Sequence, residues 1–468
     1  MHSIVKKTKG FEYRTILGAW INDISSRPRV EQWPSIVLDK SLERDYSHFF
    51  DMMKDAGYNS IVLFGLFATM NWKPRFQDTI THERERAVRR ILAEAQKRGV
   101  KVLYGLGLYS WGFDEVIKSS PDVQGTNPHA MCGSREASHK VMENLIKYLA
   151  SSFPFDGFHF ESADLGRCNC KKCAPKSNSL YHLELNERMA KYVRANWRNM
   201  IIEVYSPINV STRSNWAIWE KRSKHFTFII DDVSRINRFG CKSRKEFISK
   251  LGCAYGTRGG TWLYPPQRWN RLRWFIPILE KRAEHYRKLA DDGGRAIMIQ
   301  GVPLINPSCE AMLRFNGKMA LNPYADTKRV LVEVMEGMFH PRSRTAAQEL
   351  ADIFWNAEKA FWSAINFPPE GTELQLEPLL GKVPGPPIYM QTRMYWHTIT
   401  EYRYAMNDIK NRFRKIQPDL SDKIKCRNMV ICLNSVLRDI DQTIADKNLP
   451  KYPVSAINPD SWTEDSLW

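Results

Sequence analysis

The chain has no run of the roughly 18 consecutive apolar residues that a membrane-crossing helix needs, so no membrane partner is expected. The opening residues, MHSIVKKTKGFEYRTILGAW, carry lysines but no continuous apolar segment ahead of a small-residue cleavage site. As they stand they do not read as a secretory signal. G-x-x-x-x-G-K-[ST], G-x-G-x-x-G after a strand and the G-x-S-x-G elbow are all missing, which leaves phosphate-loop, dinucleotide and serine-elbow chemistry without their residues. The one Gly-rich stretch, GTRGGTW at 256–262, has no helix after it to complete a phosphate cradle and reads as a turn. Cysteine is scarce, nine in 468 residues, and the number is odd. Six stand singly, at 132, 241, 253, 309, 426 and 432. A disulfide scaffold is not expected of this pattern; reduced thiols and a cytoplasmic setting fit it.

Acidic residues are outnumbered, 51 against 69 Lys and Arg, for a formal charge of +18. A polyanionic partner is one reading and a generally basic surface the other. The basic residues are dispersed, and HERERAVRRILAEAQKRG mixes both signs on one helix. With no basic tail and no nucleic-acid motif, a nucleic-acid partner is not expected. An anionic sugar polymer, sulfated or uronate-bearing, stays compatible with the charge.

Regular alternation is what the chain does have. Short β-branched or aromatic runs predict strands at 14–21, 59–67, 100–109, 156–162, 199–207, 226–234, 260–265 and 295–301, and amphipathic segments with Ser or Asp starts and Gly stops lie between them. Eight strands alternating with helices predict a (β/α)8 barrel over residues 1–324. From 325 to 468 the pattern changes to long amphipathic helices, interrupted by a Pro/Gly-rich segment at 366–387, and predicts a C-terminal α-helical domain. The connection 110–133 is long enough to be functional.

In such a barrel, chemistry sits at the carboxyl ends of the strands. Period-two alternation in DGFHFES puts His159 and Glu161 on one face and Phe158 and Phe160 on the other. A charged pair facing the apolar undersides of the helices would be costly, so His159 and Glu161 are expected to face the barrel mouth. Asp164 lies in the loop just above. Glu203 ends another strand, and of Asp231 and Asp232 one must face inward. Glycoside hydrolysis uses one carboxyl group to protonate the leaving oxygen and a second as nucleophile, base or orienter. Glu161, Asp164, Asp231 and Asp232 are the catalytic candidates. Sugars stack their C–H faces on aromatic rings and need polar partners for their hydroxyls. Trp20, Tyr109, Trp111, Tyr205, Trp262 and Tyr264, with His159, Glu203 and Gln300, are therefore the substrate-binding candidates.

Beside Glu161 stands RCNCKKC. Cys168, Cys170 and Cys173 have metal-ligand spacing, and three thiolates on a short loop can surround one Zn²⁺. The fourth ligand is expected from Cys132 first and His129 second. Four protein ligands leave no open position, so the zinc would be structural and would fasten the loop that carries Asp164.

DGFHFESADLGRCNCKKC and FNGKMALNPYADTKRVLVEVMEGMF together resemble poorly characterised bacterial proteins of the (β/α)8 glycoside hydrolase clan that includes family 20 β-hexosaminidases, α-glucuronidases and family 163 β-N-acetylglucosaminidases. The resemblance spans roughly residues 10 to 365. It implies an exo-acting glycosidase on an oligosaccharide or polysaccharide, with Glu161 as the acid at the end of the fourth strand. Family 20 enzymes carry an Asp immediately before that Glu; here the position is Phe160, so Asp164, Asp231 or Asp232 would have to supply the second carboxylate. A non-hydrolytic carbohydrate-binding barrel is the alternative.

Overall fold

Eight parallel strands close into a ring in which each pairs with the next in the chain and the last returns to the first. They are β1 (Tyr13–Gly18), β2 (Ser60–Leu63), β3 (Lys101–Gly107), β4 (Gly157–Glu161), β5 (Ile201–Ser206), β6 (Phe228–Asp232), β7 (Ala254–Gly259) and β8 (Ala296–Gln300). The structure is a computed structural model that describes residues 10–18, 24, 38–67, 71–161, 166–206, 213–232, 244–259, 261–262, 272, 275, 277–300, 304–364, 374–375 and 396–445. Between the strands run α1 (Lys40–Ala56), α2 (His82–Lys97), the short α3 (Asp114–Ser119), α4 (Glu136–Ser152), α5 (Asn178–Asn196), α6 (Arg213–Arg222), α7 (Arg244–Lys250) and α8 (Glu280–Asp291). With α9 (Pro307–Leu321) after the last strand, this is the expected (β/α)8 barrel. The long 110–133 connection holds α3 and a short 3₁₀ turn, Pro121–Val123.

Strand alternation sorts the side chains into two cores. Leu17, Val62, Leu103, Ile201, Ile230 and Met298 belong to the cluster inside the barrel. Their neighbours, such as Ile16, Ile61, Val102, Ile202, Ile229 and Ile297, belong to the larger cluster under the helices. Gly105 takes an interior position where a Cβ would meet the Phe64 ring at 2.5 Å, so that ring can fill the barrel.

One expected strand is corrected. The seventh is AYGTRG at Ala254–Gly259, not 260–265, and GTRG at 256–259 is strand rather than turn. Thr261–Trp262 instead pairs in parallel with Leu374–Gln375 from the Pro/Gly-rich segment.

After α9 come α10 (Thr327–Phe339), α11 (Arg344–Ala364), α12 (Trp396–Ile416) and α13 (Lys423–Ala445). Their apolar faces join the same core as the barrel helices. The buried Glu310 of α9 bonds Arg314 one turn on and pairs with Lys425 of α13, and Asn428 Nδ2 donates to the Ile305 carbonyl. Among the described residues no helix is long and apolar enough to cross a membrane.

Candidate active site at the barrel mouth

β4 supplies the centre of the mouth. Its residues alternate as the two cores require: Phe158 and Phe160 lie in the cluster under the helices, while His159 and Glu161 occupy the inward positions. In register with His159 on the next strand is Glu203, which is fully buried. The His159 Nδ1 lies 2.8 Å from Glu203 Oε1, and its Nε2 lies 3.7 Å from Glu161 Oε2. One imidazole thus separates two carboxylates, a deep one on β5 and an upper one on β4. Glu161 is the member of the trio that meets solvent, with its side chain 16% exposed against 1% and 0% for His159 and Glu203. Burial alone would push the His159 imidazole down. The charges of Glu203 and Glu161 outweigh it and hold the ring up at about 9. Burial pushes the Glu203 carboxyl up, against the pull of His159. The assembly therefore retains a proton in its interior near neutral pH.

Aromatic and cationic groups surround the trio. The Tyr205 ring lies 6.4 Å from His159, nearly parallel to it, and the Arg258 guanidinium sits 4.5 Å over the Tyr205 ring. Trp111 leans on Phe64 at 5.2 Å, and Phe64 meets the edge of His159 at 5.5 Å. Trp111 follows β3 in a turn with two left-handed non-glycine residues, Tyr109 at φ 64° and Trp111 at φ 67°. Such conformations persist where surrounding contacts enforce them.

The cysteines assemble as expected. Cys132, Cys168, Cys170 and Cys173 bring four Sγ atoms within 4.8 Å of one another, and three of the four residues are buried. Cys132 Sγ lies 3.7 Å from that of Cys170 and 3.9 Å from that of Cys173. These separations are far longer than a disulfide, and they match the edge of about 3.8 Å that four thiolates at about 2.3 Å make around a tetrahedral ion. The Cys170 amide donates to Cys168 Sγ at 3.4 Å. A Cβ on Gly125 would lie 2.6 Å from Cys168 Sγ, so the facing loop can approach only as glycine. The cluster is able to hold a metal ion. His129, the second choice for fourth ligand, is exposed and bonds Asp114 instead.

No family model matches the chain, and no curated protein matches it in sequence. Solved structures do match in fold. A mutant of the Thermobaculum terrenum O-GlcNAc hydrolase superposes with a TM-score of 0.54 at 10% identity, over 92% of this chain and 82% of its own. CpGH84B gives 0.50 at 10% identity, over 93% and 70%. A family GH115 4-O-methyl-α-glucuronidase, BtGH115A, described as specific for decorated arabinogalactans, gives 0.54 at 13%, over 94% of this chain and 55% of its own. What the chain shares with these structures is the (β/α)8 barrel fold.

Of the sequence-predicted site residues, His159, Glu161, Glu203, Tyr205 and Trp111 converge on one mouth. Two other candidates do not. Tyr109 is buried with its hydroxyl 2.5 Å from His139 Nδ1, so its ring belongs to the α4 contact and not to the mouth. It was expected at the mouth as an aromatic at a strand end, but β3 stops at Gly107 and the left-handed turn beyond it carries Tyr109 away. Asp231 is buried on the helix side of β6, where Tyr255 donates to it at 3.5 Å, and it is withdrawn as a catalytic acid. Asp232 ends β6 in register with Arg258, and Gln300 ends β8 in register with Leu17; with Trp262, their side chains lie outside the described atoms. Trp20, Asp164 and Tyr264 lie outside the described residues. Arg258 was missed because its hexapeptide reads as a turn. Its period-two spacing from the inward Ala254 was the available signal.

Proposed function

We propose that the protein is a glycoside hydrolase that removes a terminal sugar from an oligosaccharide or polysaccharide, with Glu161 as general acid. The observation that carries this reading is the geometry of Glu161: an inward carboxylate at the end of β4, reached by solvent, with the buried His159 3.7 Å behind it. When a protonated Glu161 has given its proton to a leaving oxygen, the charge of the His159 imidazole 3.7 Å away stabilises the carboxylate left behind. Glu203 holds that imidazole in place through Nδ1. The second carboxylate is Asp164, three residues beyond Glu161, with Asp232 as the other candidate. Trp111 offers an apolar face to a pyranose, and Arg258, stacked on Tyr205, puts positive charge at the mouth, which suits a sugar bearing an acidic or N-acetyl group. Hydrolysis of at least one compound in a panel of aryl N-acetylhexosaminides and aryl uronides is the expected outcome.

A binding barrel without hydrolysis is the second reading. It is favoured by one observation: among the described carboxylates of the catalytic set, Glu161 alone reaches the mouth. Glycan binding with no turnover across the same panel would select it.

The four cysteines, on this reading, hold a structural Zn²⁺. Their all-sulfur set suits a soft, tetrahedral ion, and four protein ligands leave no position open for substrate. Elemental analysis is expected to find one zinc per chain, and a metal-free protein purified with zinc present would contradict it.

A further inference from the structure

The cysteine cluster and the strained turn that presents Trp111 are one connected piece of structure. Cys132 follows directly on Ala130 and Met131. Ala130 forms an antiparallel bridge with Ser110, and the Met131 amide donates to the Tyr109 carbonyl at 2.7 Å. The two residues that flank Ser110 are the left-handed pair, Tyr109 and Trp111. The chain leading to Cys132 is thus the strand-like partner that keeps this turn in its unfavourable backbone conformation. On its other side the turn is tied to the catalytic strand, because the Leu108 amide donates to the Glu161 carbonyl at 3.2 Å. Gly107 completes the arrangement: a Cβ there would meet Trp111 Cβ at 2.9 Å, so the tryptophan folds back over its own strand toward Phe64.

We propose that metal occupancy of the four-cysteine centre governs the placement of the Trp111 ring at the barrel mouth. Cys132 belongs to the segment after β3, and Cys168, Cys170 and Cys173 to the segment after β4. A shared ion makes the two segments one body, and the first grips the turn through residues 130 and 131. Without the ion, the two segments keep the Asn169 amide on Thr126 Oγ1 at 2.7 Å and the Gly133 amide on the Tyr181 hydroxyl at 3.1 Å, but lose the link at Cys132 itself, next to the residues that grip Tyr109 and Ser110. The inference rests on the metal reading above and is independent of whether the mouth cleaves sugars.

The test uses the full chain labelled with 5-fluorotryptophan. Fluorine NMR follows the Trp111 line, identified by its loss in Trp111→Phe, and native mass spectrometry counts the metal. Zinc is withdrawn with a chelator and then restored. The expected result is one bound zinc whose removal shifts or broadens the Trp111 line, reversibly, while the line of the buried Trp219 on α6 stays in place. A zinc that leaves without moving the Trp111 line overturns the coupling and spares the metal reading. A chain that takes up no zinc at one equivalent overturns both. Movement of the Trp219 line together with that of Trp111 makes the metal a support of the whole barrel, and also overturns the local coupling.

Discussion

His159 is the residue on which the mouth is built. It is buried between two acids, and its imidazole is held up at about 9 by their charges against the effect of burial. A histidine with a folded-state value above its unfolded value of about 6.5 stabilises the fold fully below that value and loses the contribution as pH rises through about 9. The difference corresponds to about 3 kcal/mol. Denaturant unfolding at pH 6 and pH 10 is expected to show the wild type losing that much more stability than His159→Gln; equal losses in both proteins would contradict the charge assignment. The pairing of His159 with Glu161 on one inward face was legible from the two-residue period of DGFHFES, because a charged pair has nowhere else to go in a barrel strand. Tyr109 and Asp231 show where that logic runs out. The period holds only while the backbone stays extended, and Tyr109 has left it at φ 64°. Asp231 is polar yet sits on the helix side, beside the Tyr255 hydroxyl, a partner that no pattern on β6 itself announces.

At the scale of elements, caps and glycines mark where helices start and stop. Asp39 caps α1 by accepting from the Leu42 amide at 2.8 Å, and Gly57 ends that helix at φ 92° while bonding back to Met53 and Lys54. A Cβ on Gly57 would lie 2.1 Å from Leu321 Cδ1 of α9, so both backbone and packing demand glycine. Gly57→Ala is expected to lower unfolding stability by about 1–3 kcal/mol with the barrel intact, measured as a shift in denaturant midpoint; an unchanged midpoint would contradict this account of the α1–α9 contact. Gly57 was readable as a stop, since glycine at a helix end is ordinary capping chemistry. The seventh strand was not readable. AYGTRG carries two glycines and an arginine, poor strand formers, whereas GTWLYP has the β-branched and aromatic content of a strand. Gly256 is there for closure: a Cβ would meet the Ala296 carbonyl oxygen on β8 at 2.3 Å. The need for that glycine lies in a strand forty residues away. The cysteine spacing, by contrast, encodes its own geometry, and the expected four residues do cluster.

For the molecule as a whole, α9 joins barrel and helices into one core. Twelve of its fifteen residues are buried, which a helix covered on one side could not achieve. One side meets the barrel, where the Tyr58 hydroxyl donates to the Leu313 carbonyl at 2.8 Å, and the other packs on α10 and meets α13, where Glu310 pairs with Lys425. The expected division at 324 and 325 falls in the short connection between α9 and α10. A chain ended at residue 324 is expected to aggregate rather than fold, because it strips the cover from α9 and leaves Glu310 without its Lys425 partner. Recovery of that fragment as a soluble monomer with a cooperative melt would contradict a shared core. The central claim, that the mouth cleaves a glycosidic bond through Glu161, is tested most directly by the turnover of an aryl glycoside with a poor leaving group by wild type and Glu161→Gln. A general acid predicts a loss of about 10²- to 10⁴-fold in a variant that still melts cooperatively. Full turnover by the Gln variant would contradict it.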